Sequence, residues 1–264
     1  EIETRCGRVI ARATLNAPKA LNALSLDMIQ VLSKQMDEWE QRDDVVAIWL
    51  EGAGGKAFCA GGDIVQMHKS MVKHAGQGRN PFTEQYFAEE YALDYRIHTS
   101  RIPVVVFGDG IVMGGGMGLL QGADFRLVTP RSRMAMPEIT IGLFPDVGGS
   151  WFLNRLPGRV GLFLGLTGVH INGREAVEIG MADRMVDGDA DNLLAALAEQ
   201  DFADDATDNR AVLYRLFKQQ AADMSELNQP FIDHLPPNNR LCDAGSPPAV
   251  VAQPVGANGR DARR

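Results

Sequence analysis

The sequence predicts an α/β layered fold, on three observations. Residues 45–50 and 103–107 are short apolar runs rich in β-branched side chains, the composition of strands buried on both faces. Around such runs, apolar residues recur three and four apart over helical lengths. Glycine-rich turns join the two patterns, and alternation of this kind marks strands layered against helices.

From the N-terminus, Val9–Leu15 reads as a strand. Ser25 is placed to cap a helix in which Leu26, Ile29, Leu32, Met36 and Trp39 share a face. The buried strand 45–50 leads into a glycine-rich loop, 52–62. Residues 64–99 are helical in pattern, broken around 76–81. After the strand 103–107, residues 114–121 open a helix and 125–128 form another strand. A loop surrounds Pro145. Helices follow near 150–156, 160–166 and 174–179, the last ended by Gly180. From about residue 189 the pattern turns helical and acidic. The stretch 243–264 is rich in Gly, Pro, Ala and Arg without a period, and reads as a poorly ordered tail. The expected organisation is a core over 1–188, a helical C-terminal region over 189–242, and the tail 243–264.

The chain has 264 residues, 45% apolar and 23% charged, the balance of a soluble globular protein with enough apolar mass for a sizeable core. A formal charge of -8 argues against a nucleic-acid partner, whose phosphates want clustered Lys and Arg. It leaves room for a phosphate-bearing small ligand held by a few local cations. Cys6, Cys59 and Cys242 are scattered and odd in number, so neither a disulfide framework nor a paired-cysteine zinc site is expected. A reducing compartment follows. No apolar run approaches the roughly 20 residues of a membrane span, and the N-terminus has no apolar signal region. The five histidines show no metal-ligating spacing, so no metal is expected.

Three segments carry candidate chemistry. In Lys56-Ala57-Phe58-Cys59-Ala60-Gly61-Gly62-Asp63, glycines between a strand and a helix let the backbone approach a ligand, and N–H groups at such a turn can face developing negative charge. An ordinary strand-to-helix loop is the plainer reading. The segment is not a phosphate-binding P-loop, since Ala57 stands where Ser or Thr belongs. Cys59 beside it has no diagnostic His and reads as a small buried residue.

In the second segment, residues 108–118, Gly114, Gly115 and Gly116 open a helix. Each glycine costs about 1 kcal/mol relative to Ala, so either tight packing or a ligand at the helix N-terminus must offset them. The pattern does not match the dinucleotide-binding GxGxxG. The third segment, 136–149, sets Glu138 and Asp146 in apolar, glycine-rich surroundings with no adjacent cation. A carboxylate so placed has a raised pKa and can serve as acid or base.

In this order and spacing, over about residues 5–187, the sequence resembles the crotonase, or enoyl-CoA hydratase/isomerase, superfamily. Residues 15–24, Leu15-Asn16-Ala17-Pro18-Lys19-Ala20-Leu21-Asn22-Ala23-Leu24, are similar to its N-terminal motif near the CoA site. The loop Gly142-Leu143-Phe144-Pro145-Asp146-Val147-Gly148-Gly149 and the segment Glu89-Glu90-Tyr91 resemble the 3-hydroxyisobutyryl-CoA hydrolase branch most closely.

The resemblance implies a spiral of ββα units with a helical C-terminal region. It implies an acyl-CoA held with its thioester carbonyl between the N–H groups of Gly62 and Gly115. Glu138 and Asp146 become the catalytic carboxylates, and Glu90, Ala23, Leu24, Ala60 and Asp63 substrate-binding residues. No cofactor is implied beyond the CoA of the substrate. Lys19 and Lys56 are candidates for its phosphates, or plain surface lysines. The hydratase branch carries a second catalytic Glu where this chain has Gly118. That counts against hydration, while Asp146 favours hydrolysis of a 3-hydroxyisobutyryl thioester in valine catabolism. An enoyl-CoA isomerase or hydratase, and a non-catalytic CoA-binding protein, are the alternatives. A cytoplasmic location, or the mitochondrial matrix in a eukaryote, is implied, with room for a homo-oligomer.

Overall fold

The computed structural model describes residues 1–225, 227–235 and 242. Strand β1 (Ile2–Glu3) pairs antiparallel with β2 (Val9–Leu15), and helix α1 (Leu26–Glu40) follows. Ser25 caps α1 through its hydroxyl, which accepts from Met28 N at 3.2 Å, and Ile29, Leu32, Met36 and Trp39 form its buried face.

A three-fold repetition begins there. Its first turn is β3 (Val45–Gly52), β4 (Ala57–Cys59) and α2 (Ile64–Lys73), extended by α3 (Pro81–His98). The second is β5 (Val104–Gly108), β6 (Ile111–Met113) and α4 (Gly115–Gly122). The third is β7 (Phe125–Val128), β8 (Arg133–Ala135) and a 3-10 turn, Glu138–Ile141. After these come α5 (Gly149–Phe152), α6 (Val160–Thr167), β9 (Ile171–Asn172), α7 (Gly173–Glu178), β10 (Arg184–Met185), α8 (Ala190–Ala198), α9 (Ala206–Gln219) and α10 (Pro230–Asp233).

The strands divide between two sheets. The larger has the order β1-β2-β3-β5-β7-β10, parallel from β2 onward, and the smaller β4-β6-β8-β9, with only β9 antiparallel. Each repeat therefore places one strand in each sheet before its helix, which is the ββα spiral implied by the resemblance.

Burial explains the larger sheet. Residues 45–50 of β3 and all of β5 are buried, as their apolar runs require, and Glu51 is buried with them. One core lies between the sheets and α1, α3 and α4, and a second lies where α8 and α9 cover the other face of the larger sheet with Leu193, Leu197, Leu213 and Phe217. Trp49 stacks on Phe107 at 5.6 Å in that second core. The one charged residue of β3, Glu51, accepts from Trp49 Nε1 at 2.9 Å and Arg12 Nε at 2.8 Å.

The expected break in 64–99 falls between α2 and α3, where Asn80 caps α3 and Pro81 takes its first position. The helix expected near 150–156 is α5 continued by a 3-10 turn, Leu153–Arg155. The glycine-rich stretch 52–62 is not all loop, because β4 lies inside it, and β6 and β8 were likewise not anticipated. Three residues flanked by glycine or a turn show no period to read. The expected tail, 243–264, lies outside the described residues.

Candidate active site

The three short strands decide where the chemistry sits. β4, β6 and β8 are adjacent and parallel, with Ala57 opposite Ile111 and Ile111 opposite Arg133. Their C-terminal ends therefore deliver Ala60-Gly61-Gly62, Gly114-Gly115 and Pro137-Glu138 to one edge. The carboxyl ends of parallel strands are where α/β proteins bind ligands.

At that edge the first two turns interlock. Gly61 has φ +107° and Gly114 φ +50°, conformations that favour glycine. A Cβ on Gly61 would lie 3.7 Å from Gly115 N, and one on Gly115 3.4 Å from Gly62 N. The Gly62 and Gly115 amides are thus neighbours, and among the described residues neither N–H donates to a protein acceptor. Gly115 is also the first residue of α4, at the positive end of the helix dipole. Two free N–H groups side by side can hold an oxygen that gains negative charge.

The segment 15–24 braces this hole from outside. Leu24 N–H donates to Gly61 O at 2.8 Å, and Leu24 O accepts from Asp63 N–H at 2.8 Å. Ala60 N–H donates to Leu21 O at 3.1 Å, and Ala23 N–H to Ala20 O at 3.1 Å. Asn22 is fully buried and donates to Ala53 O and Ala57 O at 2.9 and 2.8 Å. Leu24, Ala60 and Asp63 thus lie against the hole, while the Asp63 side chain caps α2 by accepting from Gln66 N at 3.0 Å. Lys19 and Lys56 are solvent-exposed.

Three acids surround the same edge. Glu138 is 6% exposed, and its Oε1 would lie 3.2 Å from a Cβ on Gly114. Its Oε2 is shut off from solvent with no hydrogen-bond partner among the described residues. Burial, aided by the charge of Asp146, pushes its carboxyl up to about 7. Asp146 accepts from the Tyr91 hydroxyl at 2.8 Å, and burial raises its carboxyl despite that hydrogen bond.

Glu90 projects from α3 at 2% exposure and accepts from the Tyr86 hydroxyl at 3.3 Å. A side chain on Gly115 would collide with Glu90 Oε1, so this acid faces the hole. Burial first, then the charge of Asp146, pushes it up to about 8. A carboxyl near 7 beside paired free N–H groups can take a proton, or attack, at neutral pH.

Cys59 is fully buried, and burial pushes its thiol up to about 12, which makes it a packing residue. Sequence reasoning gave Tyr91 no role beyond its place in the Glu89-Glu90-Tyr91 segment, and missed Tyr86 and Asp94. Tyr86, Glu90 and Asp94 recur four apart, the one legible sign that polar groups occupy a helix face otherwise filled by Leu93 and Ile97.

Position 118 is filled by its neighbours. A Cβ on Gly118 would come 2.7 Å from Asp94 Oδ2 and 2.7 Å from Val147 Cβ, so no second acid fits there on α4. Among the described residues, no helix is long and apolar enough to cross a membrane, and no group of three or more His, Cys, Asp or Glu is arranged to hold a metal.

Comparison with known proteins agrees with this architecture. A family model described as enoyl-CoA hydratase/isomerase matches residues 10–246. The 3-hydroxyisobutyryl-CoA hydrolase, mitochondrial, of Mus musculus is 50% identical over 184 residues, 70% of this chain and 46% of that protein. Its Xenopus tropicalis counterpart is 39% identical over 93% of this chain and 62% of its own length. The chain thus spans about half to three-fifths of these curated relatives. Among solved structures, a carnitinyl-CoA dehydratase from Mycobacterium thermoresistibile superposes with a TM-score of 0.78 at 33% identity, over 92% of this chain and 66% of that one. An enoyl-CoA hydratase from Rhodobacter sphaeroides 2.4.1 gives 0.76 at 32% identity, over 99% and 71%. With the ββα spiral and the paired glycine turns in place, this chain belongs to the enoyl-CoA hydratase/isomerase family.

Proposed function

We propose that the site hydrolyses an acyl-CoA thioester, and that the substrate is 3-hydroxyisobutyryl-CoA, giving 3-hydroxyisobutyrate and free CoA in valine catabolism. The observation that carries this reading is the pair of free N–H groups on Gly62 and Gly115, with the buried Glu138 on the next strand end. The thioester oxygen sits between the two N–H groups, where losing one donor costs about 3–4 kcal/mol of barrier.

Glu138 acts in one of two ways. As general base it takes a proton from water while the water oxygen bonds to the carbonyl carbon. As nucleophile it forms a mixed anhydride that water then opens. In either case the carbon–sulfur bond breaks and the thiolate leaves with a proton. Asp146, held by Tyr91, orients the water or supplies that proton. Glu90 faces the acyl group, and Ala23, Leu24, Ala60 and Asp63 line the approach of the CoA moiety.

Hydration is disfavoured because position 118 is glycine and so carries no second carboxyl on α4. The similarity to hydrolases points the same way. We place the activity in the cytoplasm, or in the mitochondrial matrix of a eukaryote, with no cofactor beyond the substrate's CoA and with a homo-oligomer open.

The test is thiol release from 3-hydroxyisobutyryl-CoA, with 3-hydroxypropionyl-CoA and crotonyl-CoA alongside. Fast release from the two hydroxyacyl thioesters, lost in Glu138→Gln, is the expected result. No release from either, with CoA still bound, would overturn the hydrolase reading in favour of isomerisation or simple binding.

A further inference from the structure

Asp94 lies one turn beyond Glu90 on the same face of α3, and no step above uses it. Both its carboxyl oxygens are shut off from solvent, and neither has a hydrogen-bond partner among the described residues. The titratable groups that face it are acids and other proton donors: Glu90 and Tyr91 on its own helix, Asp146 on the loop ahead of α5, and Cys59 on β4. A buried acid without a partner costs stability, so its presence asks for a ligand.

The place of this carboxyl is set by α4. A Cβ on Gly118 would stand 2.7 Å from Asp94 Oδ2 and 2.8 Å from Oδ1, so the carboxyl fills the volume a side chain there would take. Gly115 and Gly118 are three residues apart on one helix face, about 4.5 Å along its axis. An acyl group whose carbonyl oxygen meets Gly115 N–H carries the hydroxyl oxygen of its third carbon four bonds from that oxygen, at most about 5 Å away. Val147 shares the space over the carboxyl, at a φ of +43° that is an outlier for a β-branched residue.

We propose that Asp94 is a specificity-determining residue whose carboxyl pairs with the hydroxyl on the third carbon of the acyl group, once Val147 moves aside. A protonated carboxyl donates to the hydroxyl oxygen and accepts from its hydrogen, which matches both of its unpartnered atoms. Burial first, then the proximity of Glu90 and Asp146, raises its carboxyl well above the usual carboxylate range, which favours that form. The inference rests on the acyl-CoA reading of the site but does not require hydrolysis.

The test compares binding of 3-hydroxyisobutyryl-CoA with that of isobutyryl-CoA, which lacks the hydroxyl. Binding is read by calorimetry in the Glu138→Gln background, with thiol release measured separately in the active chain. Asp94→Leu is expected to weaken the hydroxylated ligand about tenfold or more while leaving isobutyryl-CoA within about twofold, because a site built to pair a hydroxyl discriminates by that group. Asp94→Asn, whose amide also donates and accepts, keeps most of the preference. The melting temperature of Asp94→Leu is expected not to fall, since no hydrogen bond is lost.

Equal weakening of both ligands, or an unchanged preference, overturns the proposal. Should the Leu variant not fold, Asp94→Ala carries the same comparison. A chain that prefers the hydroxylated ligand through Asp94 but releases no thiol sinks the hydrolase reading and leaves this inference standing. Thiol release with a preference indifferent to Asp94 does the reverse.

Discussion

Replacing Gly115 with alanine adds one methyl group at the point where α3, the segment 15–24 and the two glycine turns meet. Gly115 is not among the positive-φ glycines, so alanine adopts its backbone conformation without strain. As a helix residue, alanine gains about 1 kcal/mol over glycine. Against that, the methyl collides with Glu90 Oε1 and stands 3.2 Å from Leu24 Cδ1 and 3.4 Å from Gly62 N. Overpacking of this kind costs about 1–3 kcal/mol, so the net loss of stability is between roughly zero and 2 kcal/mol.

Catalysis suffers more. The methyl takes the space beside the Gly62 amide and pushes the thioester oxygen off at least one donor, worth about 3 kcal/mol, or 10²–10³ in kcat. Thiol release under saturating substrate measures the second effect, and urea unfolding the first. Gly116→Ala is the control. Its methyl collides with the Cys59 carbonyl at the end of β4 and lies 2.8 Å from Cys59 Cβ, so it lowers stability by overpacking without standing beside the Gly62 amide, and its loss of kcat is expected to be smaller than that of Gly115→Ala. A Gly115→Ala chain that turns over within about threefold of wild type, under 1 kcal/mol of barrier, would refute the placement of the carbonyl.

Three further outcomes are expected. Thiol release rises with pH through about 7 as Glu138 ionises, and Glu138→Gln abolishes turnover; wild-type activity that is flat from about pH 5.5 to 8.5 contradicts that role. Stability follows the opposite sign: Glu138 and Glu90 titrate near 4.5 in the unfolded chain but about 7 and about 8 in the folded one, so the folded state binds the extra protons. Stability is therefore lost as pH rises from about 4.5 through 8, by at most roughly 8 kcal/mol for the two groups together, and equal urea midpoints at about pH 5.5 and 8.5 would speak against it. Tyr91→Phe removes the donor to Asp146 Oδ2, which raises that carboxyl further and lowers kcat about tenfold; turnover within about twofold of wild type would mean Asp146 takes no part.

Much of this protein is written locally in its chain. The all-apolar runs of β3 and β5 require burial on both faces, and Ser25 with its four-residue periodicity requires α1. The glycines at 61–62 and 114–116, and two acids without adjacent cations, marked the segments that meet at the site. These are short-range signals, so a single sequence carries them.

Tertiary structure decided the rest. β4, β6 and β8 have three residues each and exist because each pairs with its neighbour in the smaller sheet, not because of any period of their own. Their parallel register is what brings residues 62, 115 and 138 to one edge. The depth of Glu90, the Tyr91 hydrogen bond to Asp146, and the carboxyl of Asp94 in the space over Gly118 depend on how α3 packs on α4. Close approach between segments distant along the chain is a property of three-dimensional packing, and side-chain chemistry along one strand of text does not encode its distances.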